Sequence, residues 1–228
     1  MKLSLSRRKF LQTGTGLVAA SILTQSLTAQ SQTQTKTCRL TPPQTSGPFY
    51  PGQALFHPDH DLTKIPGSSI SALGTVIYVR GKILDENCQP VAGANVEIWQ
   101  ACASGRYNSP KDTNPAIIDP NFKYWGEIDT DPQGQYWFKT IIPGAYPANN
   151  NWTRPPHIHF KVSKLGYREL VTQMYFEGEV LNDSDLILQD LSPEERAKVI
   201  VTFNPTFNEF PTLNGNFDIT ISSIQPKK

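Results

Sequence analysis

From Gly74 onward the sequence is a succession of short alternating or β-branched runs, each soon stopped by Gly, Pro, Asn or Asp. This punctuation constrains the fold more than any other feature, because no long helical period survives it. Residues 74–84 (GTVIYVRGKIL) read as a strand, followed by a turn at Asp85-Glu86-Asn87. Residues 92–100 alternate again, with Ala94, Val96 and Ile98 on one face. Gly126–Thr130 and Gln135–Ile142 read as strands joined across Asp131-Pro132-Gln133-Gly134. That junction has the look of a calcium loop but lacks the spacing and closing Glu of an EF-hand, so a plain β-turn is expected. His157–Ser163, Tyr167–Phe176 and Asn216–Ser222 complete the strands.

One helix is signalled, over 193–202: Ser192 caps it, Pro193 suits its first position and Glu195 completes a capping box. Residues 41–70, rich in Pro and Gly, read as an ordered arm over the core, and 103–122 as a long loop. The expected fold is all-β: a two-sheet sandwich with long loops and one short helix.

The N-terminus reads as an address. Ser6-Arg7-Arg8-Lys9-Phe10-Leu11 resembles the twin-arginine export signal, and a modestly apolar stretch to Leu27 follows, too short and polar for a membrane span. The expected organisation is a signal peptide over 1–29, a linker over 30–40 and a catalytic domain over 41–228. The partner of the first segment would be the twin-arginine export machinery, and the destination periplasmic or extracellular, without stable membrane insertion after cleavage. The leader holds four cationic residues and no acid, so removing it takes the net charge from +1 to −3. No basic nucleic-acid surface is expected on such a chain. Cys38, Cys88 and Cys102 match no metal-binding pattern. In an oxidising compartment one disulfide can form, with Cys88–Cys102 the expected pair and one thiol left over; the alternative is three buried or semi-buried thiols.

The chemistry gathers near His157-Ile158-His159. In a strand, residues two apart project to one face, so both imidazoles can reach one metal while Ile158, Phe160 and Val162 face the core. Taken alone, H-x-H describes a solvated face shared with Lys161 more readily than a site. Its neighbours alter that reading. Arg154 precedes the rigid pair Pro155-Pro156, Tyr146 stands between Pro143-Gly144 and Pro147, and Tyr107 closes the run Gly105-Arg106-Tyr107.

Five strings, TPPQTSGPFYPG, VAGANVEIWQACASGRY, GEIDTDPQGQYWFKTIIPGAYP, RPPHIHFKV and LVTQMYFEGE, span about residues 41–180. In order and spacing they resemble the intradiol ring-cleaving dioxygenases, the protocatechuate 3,4-dioxygenase and catechol 1,2-dioxygenase family. The resemblance implies that Tyr107, Tyr146, His157 and His159 hold Fe(3+), with Tyr107 a permanent ligand and Tyr146 the one that leaves to take a substrate proton. It implies that Arg154 stabilises charge developing on the ring and that Gln173 orients Arg154 or the substrate. Tyr50 matches a segment that helps line the pocket in some members. Ala148 stands where some protocatechuate enzymes carry Trp, which leaves the choice of ring open. The implied reaction joins a catechol-type ring and O2 to give a muconate-type diacid; family members often pair or assemble further, and whether this chain forms a homo-oligomer stays open, since no interface is legible.

The donor set is chemically consistent with that implication. Phenolate is a hard anionic donor and suits a trivalent ion, whereas zinc sites favour Cys, His and carboxylate. Two other readings remain open at this point: a secreted β-sandwich that binds a ligand without catalysis, and a Zn or Cu protein in which His57 and His60 join His157 and His159.

Overall fold

The computed structural model of the chain describes residues 37–51, 59–206 and 212–224. The expected signal peptide, most of the expected linker and His57 lie outside the described residues. Contacts divide the chain after Gln34, and every described residue falls in the second unit.

Its elements run β1 (Val76–Asp85), β2 (Asn95–Trp99), β3 (Trp125–Asp129), β4 (Gln135–Ile141), β5 (Tyr146–Asn149), β6 (Trp152–Arg154), β7 (His157–Ser163) and β8 (Leu170–Phe176). A 3-10 turn (Val180–Ser184), α1 (Leu186–Gln189) and α2 (Pro193–Val199) follow, then β9 (Ile200–Val201), β10 (Phe203–Thr206), β11 (Thr212–Asn216) and β12 (Ile219–Ile221).

In the first sheet β1 is central. It pairs antiparallel with β4 on one edge and parallel with β11 and β12 on the other. Ile77 faces Leu213 and Ile83 faces Ile219, the same offset, so β11 and β12 form one line along β1. That line is interrupted where Phe217 N–H donates to Arg80 O and Lys82 N–H donates to the Asp218 carboxylate. Gly81 permits the approach, since a Cβ there would sit 2.0 Å from the Phe217 carbonyl oxygen. The second sheet runs β3-β2-β7-β8-β9, and β5 and β6 make a separate hairpin.

The two large sheets meet in one apolar core. Ile77, Val79 and Ile83 alternate inward on β1, meeting Val96 and Ile98 of β2 and Ile158, Phe160 and Val162 of β7. The all-β sandwich expected from the punctuation is the fold observed. The capping box at Ser192 and Glu195 is formed in full, but α2 stops at Val199, where β-branched Ile200 and Val201 pair with β8 instead. A second, one-turn helix, α1, was not expected; Asp185 caps it by accepting from Leu188 N–H.

The disulfide is a correction. Cys38 pairs with Cys88, their Cα atoms 5.1 Å apart, and Cys102 is a buried free thiol. Cys88 lies in the turn before β2 and Cys102 beyond its end. A strand rises about 3.3 Å per residue, so β2 holds the expected partners at opposite ends of the sheet. Cys38 instead reaches that turn because its N–H donates to Glu86 O.

Candidate active site

The second sheet supplies one wall. On β7, His157 and His159 share the face opposite Ile158 and Phe160, and both are 2% exposed, so the solvated-face reading fails. Trp99, opposite His159 on β2, stacks on its imidazole at 4.7 Å with planes 6° apart. His157 Nδ1–H donates to Pro155 O at 2.7 Å, which leaves its Nε2 as the free lone pair.

The two tyrosines arrive on loops that cross closely. Gly105 has φ +83°, and a Cβ on it would lie 2.2 Å from the Ala145 carbonyl oxygen. Only glycine lets the Tyr107 loop lie against the Tyr146 segment. Asp112 then fixes the loop by accepting from Tyr107 N–H at 2.6 Å. Tyr146 begins β5 and pairs with Arg154 on β6.

The four rings form a closed circuit. Centroid distances are 5.5 Å from Tyr107 to Tyr146, 5.6 Å to His157, 4.9 Å on to His159 and 6.5 Å back to Tyr107. Phe49 from the arm stacks on Tyr107 at 4.5 Å. Tyr107 Oη, His157 Nε2 and His159 Nδ1 are buried with no hydrogen-bond partner. Each such orphan costs about 1–3 kcal/mol in an apolar interior. Burial and the Arg154 charge push His157 down to about 3, and burial with the neighbouring His157 holds His159 well below the imidazole range. Both rings are therefore neutral and available as donors. Burial holds the Tyr107 phenol well above its ordinary range, and it raises Tyr146 too, although Arg154 pulls the other way. Two buried phenols and two neutral imidazoles facing one another, three of their polar atoms without a partner, fit a hard, strongly charged cation. Among the described residues no three His, Cys, Asp or Glu side chains are grouped to hold a metal. His60 lies against Trp137 of the first sheet, 4.0 Å between rings.

Arg154 is held on several sides. Its Nε donates to Asp185 at 2.6 Å, and one terminal nitrogen donates to Gln173 Oε1 at 2.7 Å and to Tyr175 Oη at 3.2 Å. Burial opposes its charge, but Tyr175 and Asp185 outweigh that and raise its pKa. Gln173 is fixed in turn: its amide donates to Thr45 O, and its backbone N–H donates to Gln44 Oε1. Asp185, Tyr175 and Gln44 were not expected at the site; Asp185 carries a capping signal before Leu186, but nothing in the sequence ties it to Arg154.

A cavity of about 710 Å³ adjoins the rings, lined among others by Phe49, Tyr146, Ala148, Trp152, Arg154 and Ile187. Tyr50 does not line that cavity. Its hydroxyl donates to Glu97, it receives a hydrogen bond from Lys161, and its ring borders a second cavity lined by Tyr107, Trp99 and Trp125, which shares Pro48, Phe49 and Lys111 with the first.

Residues 45–222 match the family model described as Dioxygenase. The chain is 44% identical over 179 residues to the protocatechuate 3,4-dioxygenase beta chain of Burkholderia cepacia, covering 76% of each. The chain belongs to the intradiol dioxygenase family. It is also 31% identical over 208 residues to the catechol 1,2-dioxygenase of Candida albicans, covering 78% of this chain and 62% of that one. Among solved structures, the dioxygenase domain of a dioxygenase carbohydrate-binding fusion from Streptomyces sp. SirexAA-E superimposes with a TM-score of 0.60 at 27% identity, over 81% of this chain and 99% of that one. The 3-chlorocatechol 1,2-dioxygenase of Rhodococcus opacus shares the fold, with a TM-score of 0.64 at 23% identity over 80% and 73%. The family is one of ring-cleaving enzymes that use Fe(3+).

Proposed function

We propose that this chain is a ferric intradiol dioxygenase that opens a catechol-type ring between its two hydroxylated carbons with O2, giving a muconate-type diacid. The observation that carries the reading is the circuit of Tyr107, Tyr146, His157 and His159, with three of its polar atoms buried and unpartnered. These four residues would hold the ion. When bound, it supplies the Lewis acidity that keeps buried phenols ionised and makes a catecholate reactive toward O2.

The protein's own groups do the rest. Tyr146, at the cavity wall beside the Arg154 cation, takes the proton of a substrate hydroxyl. Arg154 offers fixed positive charge to anionic character developing on the ring, and it needs no reorganisation because Asp185, Gln173 and Tyr175 already hold it. Tyr107, stacked beneath Phe49 and tied through its backbone to Asp112, stays where it is. Phe49 and Trp99 cover the rings and keep water from them.

Export through the twin-arginine pathway belongs to the same reading. It rests on Arg7 and Arg8, and the Cys38–Cys88 disulfide supports an oxidising destination. The test of the reaction is turnover of a catechol panel under isotopically labelled O2. Both oxygen atoms of one O2 should appear in a ring-opened diacid. Binding of catechols without oxygen uptake would instead mark a ligand-binding module.

A further inference from the structure

The face of the second sheet that carries His157 and His159 continues past the rings. One pleat further along, Glu97 on β2 stands directly opposite Lys161 on β7, as Trp99 stands opposite His159. Both pairs share that face, because residues two apart in a strand project together. Glu97 is 8% exposed. Its Oε1 accepts from Lys161 Nζ at 3.0 Å, and its Oε2 accepts from Trp125 Nε1 at 3.1 Å and from the Tyr50 hydroxyl at 2.9 Å. The Tyr50 oxygen accepts in turn from Lys161 Nζ at 3.1 Å, which closes a circuit of three residues. The ammonium lies 5.2 Å from the centre of the Tyr50 ring, and that ring meets Trp99 edge-on at 4.9 Å. Charge-assisted bonds of this kind are roughly twice as strong as neutral ones, and here paired strands fix the two residues that hold Tyr50.

Tyr50 is the second fastening of the arm. The first lies at Gln44 and Thr45: Gln44 N–H donates to Val171 O, Gln44 Oε1 accepts from Gln173 N–H, and Thr45 O accepts from the Gln173 amide. The residues that touch the rings lie between the two. A Cβ on Gly47, whose φ is +64°, would sit 3.6 Å from His159 Cε1, so the arm's backbone lies against that imidazole. Phe49 stacks on Tyr107 at 4.5 Å and meets Tyr146 edge-on at 6.1 Å. Gly47 N–H donates back into the arm, to Thr45 Oγ1, and not to the sheet. The stretch over the rings is therefore held from its ends. Among the described residues its downstream end is held by the Tyr50 side chain, next in sequence to Phe49.

We infer that Tyr50 is a positioning residue: locked to Glu97 and Lys161, it sets the seat of Phe49 on Tyr107 and, through that stack, the orientation of the Tyr107 phenol. Its consequence for the reaction rests on the ferric reading of the site, in which a permanent ligand is held to one orientation while Tyr146 moves. Tyr50 does not line the cavity beside Tyr146 and Arg154, and it acts through Phe49, which does.

The test removes the hydroxyl alone, in Tyr50→Phe. Glu97 keeps Lys161 and Trp125, so no buried carboxylate is orphaned and the chain should fold. Tyr136→Phe is the control: it loses a buried hydrogen bond to Phe217 O in the other sheet and should melt at least as early. Two readouts follow Tyr107. In the metal-free full chain, NMR of labelled tyrosines reads the ring-current shift that the Phe49 stack imposes on the Tyr107 ring protons. In the ferric-loaded full chain carrying Tyr146→Phe, the residual charge-transfer band reports Tyr107 alone. Adding Tyr50→Phe should move the ring protons toward unstacked values and shift or broaden the band; Tyr136→Phe should do neither. In a coloured chain, either readout left at its parent's value by Tyr50→Phe, or moved equally by Tyr136→Phe, overturns the assignment. The two readings fail separately. Ring protons that follow Tyr50 in a chain that stays colourless with iron defeat the ferric reading and leave the fastening standing. A coloured chain in which Tyr50→Phe moves neither readout defeats this inference alone.

Discussion

Removing the Asp185 carboxylate should destabilise the protein far more than one surface ion pair warrants. Asp185 is fully buried and the Arg154 side chain is 5% exposed, so Asp185→Ala leaves a guanidinium in the interior facing only neutral partners. Breaking such a pair costs about 3–5 kcal/mol. Asp185 also caps α1 through Leu188 N–H, and losing a cap adds about 1 kcal/mol. Asp185→Asn keeps one acceptor oxygen, which can serve the cap or Arg154 Nε but not both, so it should lose less than Asp185→Ala yet more than a neutral swap. Removing the opposing charge as well, in Asp185→Ala with Arg154→Met, should recover part of the loss, because no charge is then buried alone. Urea unfolding of these four proteins and of Arg154→Met alone, five in all and compared at equal m-values, reads these differences directly. The reasoning is refuted if Asp185→Ala lies within about 1 kcal/mol of the wild type, below the range for a broken buried pair. Simple additivity of the double variant would refute the coupling as well.

Tyr146→Phe should fold normally, with a stability change of about 1 kcal/mol or less, yet lower turnover by about a hundredfold or more through loss of the proton acceptor; steady-state oxygen uptake beside a melting curve checks both halves. Gly105→Ala should cost about 1–3 kcal/mol for its positive φ alone, and more for the clash with Ala145 O; its ferric uptake should fall because Tyr107 is displaced, and wild-type metal content would contradict this. Opening the Cys38–Cys88 bridge, which spans 50 residues, should cost about 2–4 kcal/mol. The bridge sits just ahead of the arm carrying Gln44 and Thr45, so limited proteolysis should then cut there first; an unchanged urea midpoint and an intact arm under reductant would count against it.

What the sequence reveals, and what it conceals, follows from the range of the interactions. The alternation in His157–Ser163 is enough to put both imidazoles on one face and Ile158, Phe160 and Val162 in the core, because a strand's period is local. The box at Ser192 and Glu195 is equally local and equally legible. The β5–β6 hairpin is not: its Pro-Ala-Asn-Asn-Asn stretch has no strand character, and only the folded chain sets Tyr146 opposite Arg154. Asp185 and Tyr175 meet Arg154 across 31 and 21 residues, contacts that no spacing rule encodes. Glu97 alternates outward on β2 as a solvated residue should, yet it is buried because Tyr50, Trp125 and Lys161 converge on it. The disulfide misled for the same reason. Nothing in the sequence ranks Cys38 against Cys102 as the partner of Cys88; the arm's return past Glu86 brings Cys38 there.

The central claim is that Tyr107, Tyr146, His157 and His159 together hold a ferric ion, and the visible absorption spectrum of the ferric-loaded chain tests it most directly. Tyrosinate bound to ferric iron absorbs by charge transfer, so the protein should be wine-red to brown, and Tyr146→Phe should shift and weaken the band while Tyr107 sustains the remainder. A chain that stays colourless after ferric loading, or a Tyr146→Phe spectrum identical to the wild type, would contradict the account.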